Sequence, residues 1–171
     1  MILKLDLEGI LFSLEINNYR PSTKENWDDE WCAVSYYAMR GTSLNYGKDT
    51  ECLLCTEVEE LRDTFKKLLL DELNENSELS FIEPDFTFDI YPKTIDNQIS
   101  LLDPYPQMNN AYADMKLHFW SDGLTCNYLN LHLGEEEIEH LKNYLNLVTG
   151  VIDKTNPVIE DMINRNILLD V

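Results

Sequence analysis

Cys52 and Cys55, in the run CLLC, form the one Cys-x-x-Cys pair in the chain and are the first residues to test for chemistry. A structural zinc needs four ligands, usually delivered as two such pairs. Neither Cys32 and Cys126 nor His118, His132 and His140 are spaced to supply the second. A redox role gains from Cys55 standing just before a helix start, where a thiolate is stabilised. It loses from Glu51, Glu57 and Glu59, which oppose that charge, and from the apolar Leu53-Leu54 between the thiols. In a reducing compartment all four thiols stay free. Asp85 and Asp89 could attract Mg²⁺ or Ca²⁺, but no EF-hand spacing surrounds them. There is no Gly-x-Ser-x-Gly elbow and no glycine-rich phosphate loop. With 32 acids in the chain, any chosen carboxylate pair is uninformative for acid–base catalysis. These residues point away from an enzyme, a metal or a cofactor, and toward a binding protein.

Charge narrows the kind of partner. The 171 residues carry 13 bases and a formal charge of −19. Area scaling gives a folded surface of roughly 8,700 Å², so evenly spread net charges would sit ~20 Å apart, beyond the ~8 Å Debye length. Only clustering makes a usable field. Between Leu68 and Tyr112 the single base is Lys93, against nine acids. Such a field repels nucleic acid and anionic membrane and accelerates encounter with a basic protein. No apolar run approaches the ~20 residues of a membrane span, and the N-terminus alternates instead of forming a signal-peptide core. A cytoplasmic location is the expectation.

Acid and aromatic side chains come together in one loop, Glu25-Asn-Trp27-Asp28-Asp29-Glu30. Trp is a favoured interface anchor, and the flanking carboxylates suit Lys and Arg on a partner. The competing reading has Trp27 folding back onto the core while the acids face water. Glu57, Glu59, Glu60 and Asp63 form a second acidic set, readable either as a contact site or as compensation of a helix dipole. Asp85 and Asp89 complete the candidate partner-binding residues.

The elements that must position these groups follow from periodicity. Residues 2–7 and 10–16 read as a hairpin turning near Glu8-Gly9, and 31–39 as a strand rich in aromatic residues. Another short strand run leads toward residues 52–54, between and beyond Gly41 and Gly47. Thr56 starts a helix over 56–73 with Glu59 as its capping-box partner, and Val58, Leu61, Phe65 and Leu68 make its apolar stripe. Strands return at 79–82 and 86–91. A long excursion over 92–112 has room for a short strand at 98–102, and a hairpin covers 113–133. A second helix runs over 135–149 and stops at Gly150; Asn156 and Pro157 open a short third one in the tail. The expected fold is α+β, a mainly antiparallel sheet of about seven strands with the two principal helices packed on it. Residues 1–150 read as a single domain and 151–171 as a tail packed on it.

Four segments together resemble the WapI-type immunity proteins of bacterial polymorphic toxin systems: WDDEWCAV at 27–34, CLLCTEVEEL at 52–61, LSFIEPDFTFDI at 79–90 and NYLNLHLGEEEIEHLKNYL at 127–145. Cys55 ahead of Thr56, the prolines at 104 and 106 and the tail beyond Gly150 are less typical of that pattern. The resemblance implies a small cytoplasmic antidote that blocks the C-terminal domain of a toxin, often a nuclease. It brings no catalytic residue and assigns no contact position. A basic, phosphate-gripping cleft would suit a carboxylate-rich plug. The alternative is an acidic interaction or regulatory module whose charge serves solubility.

Overall fold

The computed structural model describes residues 1–21, 30–93, 111–121 and 123–170. Strands β1 (Ile2–Leu7) and β2 (Ile10–Asn17) form the first hairpin, with Leu7 opposite Ile10. Its two-residue loop has positive φ at both Glu8 (53°) and Gly9 (83°), the twist-compatible turn for such a hairpin. The Asp6 carboxylate accepts from the Gly9 amide at 2.8 Å. Strands β3 (Trp31–Arg40) and β4 (Leu44–Leu54) follow, then α1 (Cys55–Leu69). Next come β5 (Ser77–Ser80), β6 (Phe86–Tyr91), β7 (Tyr112–Trp120) and β8 (Leu124–Leu133). The chain ends with α2 (Glu135–Val148), α3 (Pro157–Asn164) and β9 (Leu168–Leu169).

The fold is α+β, with antiparallel strands divided between two sheets, β4-β3-β2-β1-β9 and β5-β6-β7-β8. The sheets meet through their apolar faces. Tyr36 of β3 packs edge-on against Phe86 of β6 with centroids 4.7 Å apart, and Tyr46 of β4 against Phe119 of β7 at 4.8 Å. Helices α1 and α2 pack on each other and on this interior. Phe65 reaches Phe88 of the second sheet, while the Tyr144 hydroxyl accepts from the Ile16 amide of the first at 2.7 Å. The buried residues form one contiguous cluster. The tail joins it, since Ile159, Met162 and Leu168 are buried and β9 pairs with β1 at Ile2 and Leu3.

Strand β5 lies at Ser77–Ser80 where 79–82 was expected, and three further boundaries differ for a local reason. Strand β4 runs through Gly47 because the Tyr37 ring of β3 lies across that position, where a Cβ would collide with the ring and with the Tyr36 carbonyl. Helix α1 begins one residue early. Leu54 is its N-cap, and the carboxylate reaching back to the Leu54 amide is that of Glu57, not Glu59. It stops at Leu69 because Asp71 turns left-handed (φ 56°) and Glu72 donates back to the Lys67 carbonyl. Helix α3 is capped as expected, the Asn156 side chain accepting from the Val158 amide at 3.0 Å. The expected strand at 98–102 lies outside the described residues.

Candidate functional site

Of the loop candidates, Glu25, Trp27, Asp28 and Asp29 lie outside the described residues. Glu30 is half-buried before β3, and its backbone carbonyl accepts from the Cys55 amide at 3.0 Å, which ties the loop's end to the start of α1. The acidic set on α1 does not behave as one surface. Glu57 is buried, and its two carboxylate oxygens accept from the Leu54 and Ile82 amides, each at 2.8 Å. It clasps the helix start to the β5–β6 connection. Glu59 accepts from the Tyr19 hydroxyl at 2.7 Å; burial first, and that carboxylate second, push the Tyr19 phenol up. Asp63 sits 2.8 Å from Arg62 Nε, whose hydrogen bond holds its carboxyl below the usual range. Glu60 is exposed.

Asp85 is 1% exposed and serves the interior. It accepts from the Tyr36 hydroxyl at 2.5 Å and pairs with Lys48 Nζ at 2.7 Å, so the residue just before β6 of the second sheet is bound to two strands of the first. Burial, then the Asp85 carboxylate, push the Tyr36 phenol up, which keeps it a neutral donor. The Lys48 ammonium also lies 4.3 Å from the centre of the Trp120 ring. Asp89 pairs with Lys116 at 2.7 Å on the outer face of the second sheet.

The thiols are arranged differently from the spacing in CLLC. Cys55 Sγ lies 3.4 Å from Cys32 Sγ and accepts from the Arg20 amide at 3.3 Å, so its close thiol neighbour comes from β3. Burial is the first cause of the raised Cys32 and Cys52 thiols, which makes both poor nucleophiles. Cys126 is exposed. Among the described residues no three His, Cys, Asp or Glu side chains gather as a metal site would need.

A feature the sequence reading missed is the outer face of the first sheet. Tyr36 and Ala38 of β3 point inward, so Ser35, Tyr37 and Met39 point outward. Cross-strand register places Leu11, Met39 and Asn45 in one row, Ser13, Tyr37 and Gly47 in the next, then Glu15, Ser35 and Asp49. Leu11 is 55% exposed, Met39 43% and Tyr37 38%. The Tyr37 hydroxyl lies 3.1 Å from both Asp49 oxygens. Alternation along 31–39 carried the signal, but both of its faces are partly apolar, so the pattern could not say which one is buried.

Buried carboxylates thus act as struts, and the first sheet leaves its outer face open. The model of the Immunity protein WapI-like family matches residues 1–149. The chain belongs to this family. Membership implies toxin neutralisation in the general sense, in a family that is generally non-catalytic. Comparison with curated proteins and with solved structures found no match. Among the described residues no helix is long and apolar enough to cross a membrane.

Proposed function

We propose that this WapI-like immunity protein acts in the cytoplasm, binding and blocking a basic C-terminal toxin domain of the nuclease type through an acidic surface. The observation that carries the reading is how the cations are used. Lys48, Arg62, Lys116, Lys142, Lys154 and Arg165 each lie within 4.0 Å of a carboxylate of this same chain. Pairing leaves the net charge of −19 unchanged but takes six of the 13 bases out of play for a partner, so acids dominate the groups left to meet one. A polyanionic surface competes for the cleft with which a nuclease grips phosphates. It also speeds capture of the toxin before damage begins.

The test is the association rate with the toxin domain encoded beside this chain's gene, by stopped flow across ionic strength. The expected result is a fall of about tenfold or more between low and physiological salt, with loss of toxin activity at one equivalent. Inhibition with a salt-insensitive rate removes the electrostatic part. No inhibition favours the regulatory-module alternative.

A further inference from the structure

We propose that the outer face of the five-stranded sheet, centred on Tyr37, is the docking surface for a basic protein partner. This deepens the toxin-neutralising reading and rests on it. The argument begins with an anchor. The Tyr37 ring lies over Gly47 and its hydroxyl is held by Asp49, so an exposed aromatic side chain is already fixed before a partner arrives. A side chain so held loses little entropy on binding, and Tyr is prominent among interface hot spots. Leu11 and Met39 extend the apolar area from the adjoining row.

The charges around this patch choose its occupant. Glu15 and Asp49 stand in the row beyond Tyr37, Asp6 pairs with Leu11 across β1 and β2, and exposed Glu51 follows on β4. The cations at the border are Lys4, opposite Ser13, Arg40 at the end of β3, and the N-terminal ammonium, 3.5 Å from Glu15. Lys48 is turned the other way and bound to Asp85. An apolar centre with a mainly acidic margin matches a Lys- and Arg-rich protein surface. It disfavours a second copy of a chain that itself carries −19. The start of α1 is the weaker candidate, because Glu57 is buried and Asp63 is charge-paired with Arg62.

The full-length chain and its exposed-face variants Tyr37→Ala and Met39→Lys are titrated into the toxin domain encoded beside its gene. Glu72→Lys and Glu160→Lys, exposed positions outside this sheet's strands, report the general effect of adding positive charge. The expected result is a loss of about 30-fold for Tyr37→Ala and about 10-fold for Met39→Lys, with less than about threefold for the two distant variants. Hydrogen exchange should slow over 11–15 and 35–39 in the complex. Met39→Lys alters an exposed side chain, so it answers the question even if Tyr37→Ala unfolds the sheet. Wild-type binding with unchanged affinity in both face variants overturns this face and leaves the neutralising reading standing. Equal losses at the distant positions overturn it too, by reducing the effect to bulk charge. A wild-type dimer that Met39→Lys disperses assigns the face to a second copy. A wild-type chain that neither binds nor inhibits the toxin overturns the underlying reading, and this one with it.

Discussion

Replacing Asp85 with alanine should destabilise the protein by about 3 kcal/mol. The carboxylate is 1% exposed and takes two charge-assisted contacts from the opposing sheet, Tyr36 at 2.5 Å and Lys48 at 2.7 Å. Depriving the buried Tyr36 hydroxyl of a charged acceptor costs ~1.5–3 kcal/mol. A fully buried pair loses ~3–5 kcal/mol when broken, but the Lys48 side chain is 29% exposed and can turn to water, so we assign the ion pair ~1 kcal/mol. Together these give ~3 kcal/mol, a fall in Tm of roughly 6–12 °C for a chain of this length. Urea unfolding of the wild type, Asp85→Ala, Tyr36→Phe and the double variant forms a cycle, and Tyr36–Asp85 coupling should be ~1.5 kcal/mol. A loss under ~1 kcal/mol for Asp85→Ala, with coupling near zero, would refute the reasoning and leave apolar packing as the tie between the sheets.

Glu57→Ala should cost ~2–3 kcal/mol in the same assay by freeing the Leu54 and Ile82 amides, whereas Glu60→Ala should stay within ~0.5 kcal/mol. In native protein a thiol reagent should modify one cysteine rapidly, exposed Cys126, and all four only after unfolding; fast modification of Cys55 would reopen thiol chemistry. Burial lowers the pKa of His118 and His140, so folding favours their neutral forms. Their contribution is complete above the ordinary histidine range of ~6.5 and is lost as pH falls below it; His140→Gln should therefore flatten the decline in urea midpoint between pH 7.5 and 5.5. Met162→Ala should cost ~3 kcal/mol, because α3 is part of the core although the family match stops at residue 149.

Local periodicity and capping chemistry set most of the elements. The Glu8-Gly9 turn, the stripe of Val58, Leu61, Phe65 and Leu68, the stop at Gly150 and the Asn156-Pro157 start all act within a few residues, so they were legible in the chain itself. The α+β class followed from their order. What tertiary structure alone decided was the use of each polar group. Asp85 and Glu57 look like any other acids in an acidic chain, and they became buried struts because the partners that satisfy them come from distant segments: Tyr36 and Lys48 for one, Ile82 for the other. Cys55 found Cys32 for the same reason, since strand pairing and not sequence spacing sets which thiols meet. The outward aim of Tyr37 was equally undetermined, because a strand apolar on both sides has no sidedness until a second sheet covers one of them.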